Sequence, residues 1–221
     1  ADQTGVLEAL VDFHLLTKWK TAGDSLLAAK KLARKDSRKI LLIGSGTVAR
    51  SMLSAYASSF TDATFSVWSR NPVSAAQFTA ANPGVSVVTD LATAVPEADI
   101  ICTATMSKQP ILQGEWLQPG QHVDLIGAYT PDMREADDEV MRRARLFVDA
   151  RATTIHHIGE LMMPIANGAI SESHVVADFY DLPKGSFTRR NEDDITVAKN
   201  GGGAHLDLMT ASYILQAWRA R

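Results

Sequence analysis

A doubly wound α/β fold with a parallel sheet is predicted for these 221 residues by three observations. Short apolar runs alternate with segments of 3.6-residue periodicity over about a hundred residues, the pattern of repeated strand, helix and strand. One of these runs, KILLIG, is apolar in the way expected for a strand covered on both faces. It leads directly into a glycine-rich turn and a helical segment.

The elements follow in order. GVLEALVDFHLLT reads as a strand and turn, and TAGDSLLAAKKLARKDS from Thr21 as a helix running into a basic, polar linker. KILLIG opens the alternating region, and GTVARSMLSAYASSF is its first helix. Further strands are expected at 64–69, 85–90, 99–105, 122–127 and 146–150, with PVSAAQFTAA, LATAVPEA and READDEVMRRA as helices between them. After Ala150 the alternation is expected to stop. TTIHHIGELMMPIANG and ESHVVADFYDLPKG read as helical, DITVAKNGGGAHLDL as strand, glycine turn and helix start, and LDLMTASYILQAWRA as a closing amphipathic helix. The expected division is 1–36 and 152–221 as parts of one flanking domain, with 37–151 as a nucleotide-binding Rossmann-type domain between them.

Composition narrows the function. Lys and Arg number 22 against 25 Asp and Glu, so no global positive field attracts nucleic acid or an anionic membrane. No apolar run reaches the roughly 20 residues of a membrane span, and no charged-then-apolar export signal opens the chain. The single cysteine, Cys102, excludes an intramolecular disulfide and a cysteine-rich metal cluster, and fits a reducing, cytoplasmic setting. Cys102 is expected to point into the sheet as a small apolar residue.

LLIGSGTVAR sets Gly44, Gly46 and Ala49 in a G-x-G-x-x-A pattern between strand and helix. Gly44 allows the tight turn, Gly46 lets backbone approach a pyrophosphate, and Ala49 permits close helix packing. The backbone of Ser45, Thr47 and Val48 then faces the phosphates at the helix start. The end of the second strand selects the cofactor, because an NAD site carries an acid there for the ribose 2′-hydroxyl. VWSRNP offers Ser69, Arg70 and Asn71 and no acid; Asp62 lies before the strand, at its wrong end. Arg70 presents a forked donor set for a 2′-phosphate, so NADP(H) is expected over NAD(H). Thr103 and Thr105, at the end of the fourth strand, are placed to hold ribose or nicotinamide, or to cap backbone groups.

Other residues read as structural. His156 and His157 share no metal-ligand spacing with another His or Cys, so no metal site is expected, and His156 with Glu160 reads as an i, i+4 helix-surface pair. Met162, Met163 and Pro164 read as core. Asp207 suits the positive end of the last helix, and His205 beside it could approach the nicotinamide through the Gly201–Gly203 turn.

Several blocks, taken in order, carry a resemblance: LTKWKTAGDSLLAAKKLAR, IGSGTVAR, ADIICTATMSKQPIL, GQHVDLIGAYTPDMREAD, GEL at 159–161 and ITVAKNGGGAHLDL. Together they resemble the ornithine cyclodeaminase and mu-crystallin family. The resemblance implies a Rossmann domain beside a dimerisation and substrate domain built from both chain ends, a homodimer, and a further N-terminal segment ahead of Ala1 that supplies cations for a substrate carboxylate. It also implies that Thr21, Ala104, Ile126, Gly127 and Gly202 join the loop residues around the cofactor. Lys20 stands where the family has a carboxylate-binding arginine, and it keeps the charge but loses the fork. Tyr129 stands where the family has an acid in G-A-D-x-P. A phenol is neutral at neutral pH and a poor base, so the deamination of ornithine is disfavoured. Reduction of a ready-made cyclic imine demands less of the protein, and Tyr129 then either donates a hydrogen bond or walls the pocket.

The expected function is thus NADPH-dependent reduction of Δ1-pyrroline-2-carboxylate, and of its six-membered homologue, to L-proline and L-pipecolate. Ornithine cyclodeamination, an alanine-type amino-acid dehydrogenase and a non-catalytic NADPH-binding protein are the alternatives.

Overall fold

Eight parallel strands form one sheet in the computed structural model, which describes residues 5–221. The strands are β1 (Lys39–Ile43), β2 (Thr64–Trp68), β3 (Val85–Val87), β4 (Ile100–Thr103), β5 (His122–Leu125), β6 (Arg145–Val148), β7 (Val175–Ala177) and β8 (Thr196–Lys199). Their spatial order is β3-β2-β1-β4-β5-β8-β6-β7. From β1 the chain runs outward to β2 and β3, then returns past β1 to β4 and β5. The reversal puts a crevice at the carboxyl ends of β1 and β4, where open α/β sheets bind ligands.

The helices are α1 (Phe13–Leu32), α2 (Thr47–Ala57), α3 (Pro72–Ala81), α4 (Leu91–Glu97), α5 (Asp138–Arg143), α6 (Arg151–Thr154), α7 (Gly159–Ala166) and α8 (Ala204–Arg219). One core layer joins Ala22 and Ala29 of α1 and Met52 and Tyr56 of α2 to Ile40, Leu42 and Ile100 on the sheet. On the opposite face, Leu41, Ile43, Ile101, Val123 and Leu125 pack with Val95, Val140, Met141 and Leu161. Burial on both faces is why β1 and β4 carry apolar runs without alternation, whereas β5 alternates buried His122 and Asp124 with Val123 and Leu125. Cys102 lies buried in the first layer, as expected.

Four sequence expectations are overturned. GVLEALVDFHLLT is not a strand: α1 begins inside it at Phe13, where the Asp12 carboxylate accepts from the Leu15 amide at 2.8 Å and caps the helix. Leu7 and Leu10 are exposed, so that apolar run has no sheet face to cover. Alternation also continues past Ala150, since β7 and β8 join the same sheet and β8 inserts between β5 and β6. ESHVVADFYDLPKG is accordingly two short 3-10 turns flanking β7 rather than a helix, with Gly185 left-handed at φ 77° ending the second. Finally, His156 and Glu160 do not share a helix face. α6 ends at Thr154 and α7 starts at Gly159, so His156 faces Glu172 at 3.6 Å while Glu160 turns inward. Met162 and Met163 are half-buried beside buried Pro164.

Candidate active site

The residues expected to hold a dinucleotide converge on the carboxyl edge of the sheet. Gly44 follows β1 with φ 119°, and its amide donates to the Trp68 carbonyl of β2 at 2.8 Å. A Cβ at Gly44 would stand 2.6 Å from the Ala104 carbonyl oxygen, so the β1 turn lies directly against the end of β4. Gly46 is the residue before α2, and a Cβ there would meet nothing within 4 Å; the space over it is open for a ligand. Ser45 donates to Ser69 at 3.0 Å, tying the turn to the end of β2. Gly44, Ser45, Ser69, Arg70, Ala104 and Thr105 line a cleft of about 160 Å³. Arg70 is exposed at its rim, and Asn71 is used as the cap of α3, accepting from the Val73 amide at 3.0 Å. A turn open above Gly46, beside a helix N-terminus and without an acid at the end of β2, fits a dinucleotide pyrophosphate.

Behind the cleft, one buried carboxylate organises the strand ends. Glu135 accepts from the Thr103 and Thr105 hydroxyls at 2.7 Å each, from the Thr105 amide at 2.7 Å and from the Gly127 amide at 2.6 Å. Thr103 and Thr105 are therefore engaged by the protein itself. Gly127 has no room for a side chain, since a Cβ there would overlap the backbone of Thr105. Glu160 in turn accepts from the Glu135 and Ala136 amides at 2.8 and 2.9 Å. Burial, then the neighbouring Glu135 charge, pushes the Glu160 carboxyl up to about 7. Lys199, buried at the end of β8, donates to the carbonyls of Leu125 and Ala128 at 3.0 and 2.6 Å. Burial pushes its ammonium down, and the carboxylates of Glu160, Glu135, Asp149 and Asp24 work against that.

The loop after β5 carries Ile126, which is buried, and Tyr129, which is 59% exposed. Beyond it Asp132 pairs with Lys108 at 2.6 Å. That contact and the Thr130 hydroxyl hold the Asp132 carboxyl down at about 2.

A second cavity, of about 390 Å³, opens between α1, the start of α8 and the turn after β7. Its lining includes Lys20, Asp24, Asp149, Tyr180 and His205. The Lys20 ammonium is bonded to the Asp207 carboxylate of α8, and its side chain is 11% exposed. Thr21, next on α1, is half-buried. Asp149 accepts from Thr154 and from the amide of Gly202, both at 2.7 Å, and so fixes the glycine turn before α8. A larger open groove of about 540 Å³ lies over β1–β3 and α4, away from these loops.

A match to a family model spans residues 1–221, under the description ornithine cyclodeaminase/mu-crystallin family. The chain belongs to the ornithine cyclodeaminase/mu-crystallin family. It is 54% identical over 216 residues to a Δ1-pyrroline-2-carboxylate reductase of Paracoccus denitrificans, covering 95% of this chain and 68% of that one. Among solved structures, it is similar to the Δ1-pyrroline-2-carboxylate reductase of Thermococcus litoralis in complex with NADH and L-proline. The TM-score is 0.91 and the identity 30%, over 97% of this chain and 68% of that one. An archaeal alanine dehydrogenase dimer with bound NAD aligns at a TM-score of 0.88 and 27% identity, over 98% and 68%. The chain thus spans about two thirds of the length of these relatives.

The structure brings the loop residues Gly44, Ser45, Gly46, Thr47 and Val48 together with Ser69, Arg70, Ala104, Thr105 and Gly127 along one sheet edge. Lys20 and Gly202 stand farther along, at α1 and after β8. Sequence reasoning missed Glu135, Lys199, Asp149 and Asp24. The available signal was a charged residue at or just beyond an otherwise apolar run, as in ITVAKN and LFVDA.

Proposed function

We propose that this protein reduces a cyclic ketimine, Δ1-pyrroline-2-carboxylate or its six-membered homologue, to the L-imino acid with NADPH. The open turn at Gly44–Gly46, pressed against the end of β4, carries this reading, and the similarity to two Δ1-pyrroline-2-carboxylate reductases supports it. Residues 44–48, 69 and 70, with Thr21, Ile126, Gly127, Gly202 and the chain at 71 and 103–105, whose polar side chains are engaged within the protein, would hold the dinucleotide, which when bound supplies hydride to the imine carbon. Lys20 binds the substrate carboxylate, released from Asp207 as the substrate enters. Tyr129 walls the site, in keeping with its exposure and with chemistry that needs no carboxylate base there.

The flanking part of the molecule, on this reading, is built by both chain ends: α1 packs against α8, and the two leave Phe13, Trp19, Leu208, Tyr213 and Trp218 exposed. An apolar face of that kind suits a homodimer. Among the described residues no helix is long and apolar enough to cross a membrane, and the lone, buried Cys102 suits a cytoplasmic setting.

Preference for NADPH rests on Arg70 and the absence of an acid after β2. Charge-assisted bonds of the kind Arg70 would make are worth about 1.5–3 kcal/mol, roughly ten- to a hundredfold in affinity. Arg70→Ala should weaken NADPH binding by that factor and leave NADH binding unchanged, read by titration of nucleotide fluorescence. Equal affinities for both nucleotides in both proteins would remove the NADPH assignment. The reaction itself is tested by NADPH oxidation with synthetic Δ1-pyrroline-2-carboxylate.

A further inference from the structure

A buried carboxyl without a role so far faces the second cavity. Asp24 stands one helical turn after Lys20 on α1, is 7% exposed, and lines the 390 Å³ cavity. None of the hydrogen bonds among the described residues ends on its carboxyl group. A buried carboxylate without donors is costly, whereas a protonated carboxyl facing a cavity keeps a proton to give.

We propose that Asp24 is a catalytic residue, the acid that protonates the ring nitrogen of the ketimine; the proposal rests on the reductase reading above. The spacing fits the substrate. In a cyclic 2-carboxy imine the carboxylate and the nitrogen are attached to the same carbon. Residues i and i+4 of a helix stand about 5–6 Å apart at Cβ. A carboxylate on Lys20 therefore brings the imine nitrogen within reach of Asp24. The O–H bond of Asp24 breaks, the nitrogen lone pair forms the N–H bond, and the imine becomes an iminium. The two electrons that reduce the carbon come with the hydride, and the C=N π pair becomes the lone pair of the amine product. The Asp24 carboxylate regains its proton from water through the open cavity.

The charged surroundings favour the protonated form. Burial raises the Asp24 carboxyl well above the usual carboxylate range, and Asp149 at the end of β6 and Asp124 on β5 raise it further. Lys20 on α1 and Lys199 on β8 oppose them. Tyr180, in the turn after β7, and His205, on the first turn of α8, are the other titratable groups lining this cavity, and Asp207, also on that first turn, is paired with Lys20.

The test compares the pH profiles of the wild type, Asp24→Asn and Asp24→Glu in the full-length protein, with NADPH and Δ1-pyrroline-2-carboxylate. General acids contribute about 10²–10⁴-fold. Asp24→Asn should lose turnover by that factor at alkaline pH and approach the wild type at acidic pH, where the imine arrives protonated. Asp24→Glu should recover part of the alkaline rate, and NADPH affinity should not change in either variant. Infrared difference spectra of the wild type without substrate should show a protonated-carboxyl band at neutral pH that Asp24→Asn lacks. An active wild type whose profile Asp24→Asn follows at every pH, or the absence of that band, overturns the proposal alone. A wild type that does not oxidise NADPH with this imine overturns the reductase reading and the proposal with it.

Discussion

Replacing Glu135 with alanine should destabilise the protein by at least about 3 kcal/mol, because each buried donor left without a partner costs about 1–3 kcal/mol. Four donors converge on this side chain: the Thr103 and Thr105 hydroxyls and the Thr105 and Gly127 amides. Two of these are backbone amides, which cannot rotate toward another acceptor. With a total stability of about 5–15 kcal/mol for a typical domain, such a loss is a large fraction of the whole. Glu135→Gln keeps one acceptor oxygen, so about half the loss is expected. Urea denaturation reads both values, and an alanine variant within 0.5 kcal/mol of the wild type, roughly the level of an ordinary surface substitution, would mean that the four bonds are replaced by water.

Gly44→Ala should cost both stability and dinucleotide affinity. The residue sits at φ 119°, and its new Cβ would lie 2.6 Å from the Ala104 carbonyl oxygen. Backbone strain of this kind costs about 1–3 kcal/mol, and relief requires the turn to move away from β4. The same energy corresponds to roughly ten- to a hundredfold in nucleotide affinity. Gly46→Ala separates the two effects. A Cβ there meets no protein atom within 4 Å, so the fold should be unaffected, while the approach of a pyrophosphate should be blocked. Calorimetric titration with NADPH, beside thermal melts of the same proteins, distinguishes the outcomes. Unchanged affinity in Gly46→Ala would place the pyrophosphate elsewhere.

The parallel sheet and its glycine turn were legible in the sequence because burial on both faces writes an apolar run that little else produces. KILLIG and ADIICTAT are such runs. The later strands were harder to read. β7 is three residues long, and β8 pairs with strands that precede it by more than forty residues, so no local period announces its place in the sheet. The start of α1 was misread because Leu7 and Leu10 extend an apolar run that the fold leaves exposed. The residues around the candidate site divide the same way. Gly44, Gly46 and Arg70 carry their reasons in local spacing, whereas Glu135 matters through donors eight to 32 residues away in the chain. Lys20 and Asp207 are separated by 187 positions, and only the packing of α1 against α8 joins them.

The central claim is that the site reduces an imine already formed rather than making one from a diamine. The most direct measurement follows NADPH absorbance in the full-length protein with Δ1-pyrroline-2-carboxylate, and ammonia release with L-ornithine and the oxidised nucleotide, under the same conditions. The account predicts oxidation of NADPH with formation of L-proline, and no ammonia from ornithine. Ammonia released from ornithine at a rate comparable to imine reduction would contradict it, since Tyr129 offers no carboxylate to support that chemistry.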